Sequence, residues 1–261
     1  MRILAAGLGL ALILVGCGHQ ARSAPVTSTP DRAVAGMVNQ VIAAPVHPDP
    51  RVGAFFVSGG DLHTCTGSVL HSAAGNLVLT AAHCLTGDVP ARFVPGFARE
   101  AAPENVWTLD ALYLDPRWLA DRDPQADYAI GRVGRPAGGS VEALVGSALS
   151  LAAAPARGSQ VTVVAYPAGV GGTPIGCRTG TGLSDGGFPE LPCAGLVDGT
   201  SGAPWINGST VTGVIGGLHG GGCAQNLSYT SRFDEHIAEL FARAQAGGPG
   251  DVPPSGYDDQ C

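Results

Sequence analysis

The chain has 261 residues, 45% hydrophobic and 13% charged, with 40 glycines and 20 prolines. That length allows one sizeable core or two small ones, and so many helix breakers exclude a coiled coil or long-helix protein. All 14 basic residues are arginine and the net charge is −7, so there is no basic stripe to neutralise a phosphate backbone and nucleic-acid binding is not expected.

Arg2 precedes an apolar run from Ile3 to Gly16. A charged start and a hydrophobic core too short to span a bilayer predict a secretory signal over residues 1–16. The end of that run, Leu14, Val15, Gly16, Cys17, resembles the bacterial lipobox, where cleavage precedes a cysteine linked to diacylglycerol. Cys17 is therefore the expected lipidation site and mature N-terminus, and a lipid there is the only membrane contact expected. Residues 17–47, rich in Ser, Thr, Pro and Ala, read as this lipidated end and a flexible tether.

From about Arg51 the sequence changes to short β-rich runs separated by Gly, Pro and Asp turns: Ala54 to Val57, Gly67 to Leu70, Leu77 to Thr80, Tyr128 to Val133, Val161 to Ala165 and Val211 to Ile215. This predicts an all-β sandwich or barrel over residues 48–246. One helix is predicted near the end, where Phe233, Ile237, Leu240 and Phe241 recur at i, i+4, i+7, i+8, with Asp234 and Glu235 in the first turn and Arg243 in the last. The Gly/Pro-rich tail 247–261 finishes in Cys261, which predicts that its end is stapled to the domain.

Seven cysteines are an odd number for an exported chain. Assigning Cys17 to lipid leaves Cys65, Cys84, Cys177, Cys193, Cys223 and Cys261 for disulfides in an oxidising compartment. None of their spacings gives a CxxC pair or a tight Cys/His cluster, so no zinc site is expected, and nothing implies a cofactor or catalytic metal.

Three segments carry the chemistry: Thr80-Ala81-Ala82-His83-Cys84, Asp127-Tyr128-Ala129-Ile130, and Gly199-Thr200-Ser201-Gly202-Ala203-Pro204. Singly, each reads as a strand end, a turn or a loop. Together they supply what a serine hydroxyl needs to become a nucleophile: an imidazole to take its proton and a buried carboxylate to hold that imidazole. Ser201 sits in a glycine-flanked turn, which can leave backbone N–H groups free to face an oxyanion.

With these residues the chain resembles the trypsin/chymotrypsin-like serine proteases, in particular their bacterial secreted branch. TAAHC is very close to the family's histidine motif, GTSGAP stands for its GDSGGP, and the step from His83 to Asp127 is near its usual spacing. The resemblance implies two six-stranded antiparallel β-barrels with a C-terminal helix. It also implies His83 as general base and acid, Asp127 as its orienter, Ser201 as nucleophile, and the amides of Gly199 and Ser201 as the oxyanion hole. Asp127 is preferred over the neighbouring Asp110, Asp115, Asp121 and Asp123 because the Tyr-Ala-Ile after it matches the family's strand. Cys65 is expected to pair with Cys84. Cys177 with Cys193, leaving Cys223 for Cys261, is favoured over the alternative of Cys193 with Cys223 and Cys177 with Cys261.

Thr200 stands where many animal members have an aspartate that receives a newly made α-amino group, and no Ile-Val-Gly-Gly-like start is present, so a constitutively formed site is expected. The resemblance makes the segment Gly213 to Leu218, with Ile215, Gly216 and Gly217, a pocket wall that pairs with the substrate backbone. Gly195 occupies the position of the pocket-base aspartate that gives Arg/Lys preference, so trypsin-like cleavage is not expected. His219 resembles the pocket histidine of glutamate-specific bacterial relatives, although ungapped alignment puts Ile215 there and His219 at the rim. A small or medium apolar preference is favoured over glutamate. The functional expectation is an exported, lipid-anchored, monomeric serine endopeptidase acting on peptide or protein substrates. The alternative is a catalytically weak binding or adhesion module on the same fold at the cell envelope.

Overall fold

The computed structural model describes residues 40–87 and 90–256. The expected signal segment, Cys17, most of the tether and Cys261 lie outside the described residues.

The first half contributes strands β1 (Val41–Ile42), β2 (Ala44–Pro45), β3 (Val52–Val57), β4 (Leu62–Leu70), β5 (Leu77–Thr80), β6 (Ala91–Pro95), β7 (Trp107–Leu114) and β8 (Ala129–Gly134). The second contributes β9 (Ser150–Leu151), β10 (Gln160–Ala165), β11 (Gly169–Val170), β12 (Ile175–Gly180), β13 (Gly182–Leu183), β14 (Pro189–Leu191), β15 (Cys193–Ala194), β16 (Pro204–Asn207), β17 (Thr210–Val214) and β18 (Ser228–Tyr229). Among the described residues the α-helices are few: α1 (Pro116–Asp121), α2 (Val141–Val145) and α3 (Glu235–Ala246).

Strands β4-β3-β6-β7-β8-β5 form an antiparallel sheet that closes through β5–β4 pairing into a six-stranded barrel, and β11 adds to β4 from outside. In the second half the order is β2-β12-β10-β16-β17-β9, completed by the three-stranded sheet β13-β14-β18 and the pair β1-β15. This is the all-β, chymotrypsin-like architecture expected.

Strand alternation explains the apolar runs. Phe55 and Val78 join one buried cluster with Trp107, Leu112 and Leu114, while their neighbours Ala54, Phe56, Leu77 and Leu79 join another with Tyr113, Ile130 and Tyr166. Similarly Val161, Val163 and Ala165 pack with Trp205 and Ile215, while Val164 faces the other way. A strand buried on both faces has no polar alternate to show.

Helix α3 buries Ile237, Leu240 and Ala244, and its N-cap Asp234 accepts a hydrogen bond from the His236 amide at 3.0 Å. Beyond it the tail lies along β7. The Asp251 amide donates to Leu112 C=O at 2.6 Å, and the Asp251 carboxylate accepts from the Leu114 amide at 2.7 Å and from Arg243.

One boundary is corrected. The tether was expected to run to His47, but β1 pairs with β15, β2 pairs with β12, and the Val46 amide donates to Pro174 C=O, so residues 41–46 are tied into the sheets. These short edge strands are held by backbone hydrogen bonds, which side-chain pattern does not reveal.

Candidate active site

Strand β5 ends at Thr80 and the chain enters a one-turn 3-10 helix, Ala82–Cys84, which carries His83. Strand β8 pairs with β5 in the register Thr80↔Ala129, so the residues just before β8 lie beside those just after β5. Asp127 is one of them, and it is fully buried. Its amide donates to Ser231 Oγ at 3.1 Å, and Ser231 Oγ donates to Pro124 C=O at 2.8 Å, which fixes its backbone.

Three N–H groups converge on the Asp127 carboxylate. His83 Nδ1 lies 2.8 Å from Oδ2, the Gly217 amide 2.7 Å from the same oxygen, and the His83 amide 3.0 Å from Oδ1. An acceptor-only carboxylate requires the Nδ1 proton to face it, which turns the Nε2 lone pair away from Asp127. Two of the other candidate aspartates are occupied elsewhere. Asp115 is bonded to Arg117 and to Tyr128 Oη, and Asp123 caps the turn Pro124–Ala126. Burial pushes the Asp115 carboxyl up, but hydrogen bonds from Arg117, Tyr128 and the Arg117 amide outweigh it and hold the group below the ordinary carboxylate range.

Ser201 is in the turn before β16, and it lines with His83 a cleft of about 870 Å³ whose walls include Thr64, Ala168, Leu196, Val197, Gly199, Ile215, His219 and Ser228. Gly199 has φ +88°, and a Cβ there would collide with the Ala168 backbone nitrogen, so both conformation and space demand glycine. The Gly199 and Ser201 amides have no hydrogen-bond acceptor among the described residues. Thr200 closes the loop itself: its amide and hydroxyl both donate to Val197 C=O, at 3.0 and 2.7 Å.

Of the expected pocket residues, Ile215 and His219 line the cleft and Gly195 does not; its neighbours Leu196 and Val197 do. Gly195 ties two wall segments together, its amide donating to Gln225 C=O at 2.8 Å. The Gly216 amide donates to Tyr229 C=O and the Gly217 amide to Asp127, so both N–H groups are directed into the protein. The expectation that this segment adds a substrate strand is thereby narrowed: these two amides are occupied.

Cys65 is bonded to Cys84 and Cys177 to Cys193. Cys223 is not free, and its expected partner Cys261 lies outside the described residues. Among the described residues one Cys/His group has metal-like proximity, Cys65, His83 and Cys84, but its sulfurs are joined in the disulfide and cannot serve as thiolate ligands. Sequence reading missed Thr66, which touches the Ser201 loop through two bonds described below; its only signal is its place between Cys65 and Gly67, just upstream of the histidine motif.

A family model of the trypsin-like peptidase domain matches residues 65–216, more than half of the chain. Among solved structures, protease Anisep from Arthrobacter nicotinovorans is 24% identical with a TM-score of 0.69, covering 79% of this chain and 100% of that one. A Glu endopeptidase is 16% identical with a TM-score of 0.65, covering 79% and 98%. Human heparin binding protein is 17% identical with a TM-score of 0.62, covering 81% and 100%. At these identities the likeness to solved structures is one of fold. No curated relative matches the sequence. With the matched segment running from the cysteine ahead of the histidine motif, through the GTSGAP turn, to just past β17, the chain belongs to the trypsin-like peptidase family.

Proposed function

We propose that the chain is an exported serine endopeptidase, anchored through a lipid on Cys17, with Ser201 as nucleophile, His83 as general base and acid, and Asp127 as the group that orients His83. The observation that carries this reading is the buried Asp127 carboxylate holding His83 by both its ring Nδ1 and its amide, with His83 and Ser201 on one cleft. His83 Nε2 takes the Ser201 proton as Oγ attacks the scissile carbonyl, and the Asp127 carboxylate stabilises the imidazolium. The oxyanion is received by the Gly199 and Ser201 amides. The imidazolium then protonates the leaving amine, and the same groups activate water to hydrolyse the acyl-enzyme. Leu196, Val197 and Ile215 give the pocket an apolar wall, which favours a small or medium apolar residue on the acyl side of the cleaved bond. The disulfides support an oxidising compartment, and no helix among the described residues is long and apolar enough to cross a membrane.

Fluorophosphonate labelling of the full chain tests the nucleophile without knowledge of the substrate. Labelling is expected in the parent and absent in Ser201→Ala and His83→Ala. A folded, disulfide-bonded parent that is not labelled refutes the reading in favour of a catalytically weak binding module. For the anchor, Cys17→Ser is expected to release the protein from the membrane fraction, and unchanged retention refutes lipidation there.

A further inference from the structure

We propose that the Thr66 hydroxyl is a positioning group that sets the direction of the Gly199 amide, and so shapes the oxyanion hole of the site proposed above. Thr66 is fully buried in β4, on the first barrel, yet its bonds run to the second half. Its hydroxyl donates to Gly199 C=O at 3.0 Å and accepts from the Tyr166 amide at 2.9 Å, and its own amide donates to Ser201 C=O at 2.8 Å. Thr80 Oγ1 in turn donates to Thr66 C=O at 2.7 Å.

The peptide plane explains why this matters. In a trans peptide the C=O and N–H point in opposite directions, so holding one aims the other. The plane that carries the Gly199 N–H has Asp198 C=O at its other end, and that carbonyl accepts from the Ala168 amide at 2.7 Å. Ala168 is two residues beyond Tyr166, whose amide ends on the Thr66 hydroxyl. The next plane has Gly199 C=O held by Thr66 and the Thr200 amide held by Val197 C=O. The one after it has Thr200 C=O held by the Ala203 amide at 3.0 Å. Thus, among the described residues, the hydroxyl is the single side-chain group that grips both the oxyanion loop and the segment that pins it. Gly199, with its positive φ and no Cβ, has no steric bias of its own to restore that geometry once the grip is lost.

Replacing Thr66 by Val keeps the shape and removes the hydroxyl, leaving Gly199 C=O and the Tyr166 amide without this partner. An oxyanion donor acts on the transition state and not on initial binding. The effect therefore belongs in the rate of reaction at saturation and not in the affinity for the probe.

The test measures the saturation kinetics of fluorophosphonate labelling in the full chain, with thermal unfolding in parallel. Thr66→Val is expected to lower kinact by about tenfold or more with KI within about twofold of the parent. Thr66→Ser, which keeps the hydroxyl, is expected to restore kinact to within about threefold. Thr212→Val, which removes a buried hydroxyl in the middle of β17, bonded to Trp205 C=O and outside the cleft lining, is expected to lower the melting temperature without slowing labelling. Should Thr66→Val not fold, Thr66→Ala, whose smaller side chain leaves room for a water, carries the same comparison with Thr66→Ser. Labelling of the hydroxyl-free variant at the parent rate overturns the proposal, and so does a Thr66→Ser variant as slow as Thr66→Val. A parent that is not labelled at all overturns instead the functional reading on which this rests.

Discussion

Replacing Asp127 by Asn tests the reading at its centre, because the carboxylate accepts three N–H groups and an amide offers only one acceptor atom. If the Asn oxygen takes the Oδ2 place, it keeps the bonds from His83 Nδ1 at 2.8 Å and Gly217 at 2.7 Å, but its NH2 faces the His83 amide at 3.0 Å. If the oxygen takes the Oδ1 place, the NH2 faces Gly217 and His83 Nδ1. The ring then accepts at Nδ1, its proton moves to Nε2, and the base is lost. Either arrangement sets a donor against a donor in a fully buried site, a cost of about 1–3 kcal/mol in stability. Either also removes the charge that stabilises the imidazolium. The expected outcome is a folded protein with turnover down by roughly 10⁴, about 5.5 kcal/mol of transition-state stabilisation. The assay is the rate of fluorophosphonate labelling beside thermal unfolding, with Asp123→Asn, still able to cap its turn, as the control. A folded Asp127→Asn variant within tenfold of the parent would refute the assignment and return the orienting role to another carboxylate.

Three further outcomes are expected. Converting Cys65 and Cys84 together to Ser opens a cross-link with a sequence separation of 19 and should cost about 3 kcal/mol, read as a lowered urea midpoint; an unchanged midpoint would show that the bridge does not constrain the unfolded chain. For Asp49, Asp115 and Asp251, burial pushes each carboxyl up, but arginine and backbone hydrogen bonds outweigh it and leave all three below the ordinary aspartate value of 3.8. A lowered folded-state pKa contributes stability that is present above the unfolded value and lost as pH falls through the folded one, so urea midpoints should drop below about pH 4, and Asp251→Asn should flatten that drop. A chain beginning at Pro48 should melt lower than one beginning at Gln40, since it lacks the β1–β15 and β2–β12 pairings; equal melting temperatures would count against that edge contributing to the fold.

What was legible in the sequence was legible for identifiable reasons. Leu77 to Thr80 reads as a strand because its residues are apolar on both buried faces, and α3 reads as a helix because its buried residues follow the helical period. Strand β6 is not legible, with Arg92 inside it and prolines at Pro90 and Pro95. Strand β12 is not either: Ile-Gly-Cys-Arg-Thr-Gly is half exposed, and its place comes from six residues paired with β10 and from the Cys177 bridge. In the site, His83, Asp127 and Ser201 are legible as candidates only through their three segments taken together and in order, since each segment alone reads as a strand end, a turn or a loop. Thr66 is not legible, because its hydroxyl bonds to the backbone of residues 100 and 133 positions later, and backbone partners leave no mark on side-chain identity.

The two halves of the site are secured by different means. His83 and Asp127 flank β5 and β8, two strands of the closed barrel whose register sets one beside the other, so their juxtaposition is a property of a single strand pair. A slip of one residue in that pair would turn every side chain to the opposite face and destroy the barrel's packing before it merely weakened the site. Ser201 and the Gly199 amide have no such protection. They sit in a turn, and their place relative to His83 depends on bonds that cross between halves: Thr66 to Ser201 and Gly199, and Gly217 to Asp127. The proposed oxyanion geometry therefore rests on a turn and the bonds that cross to it, while the His83–Asp127 pair has the β5–β8 register beneath it and the Ser231 and Gly217 bonds from the second half besides.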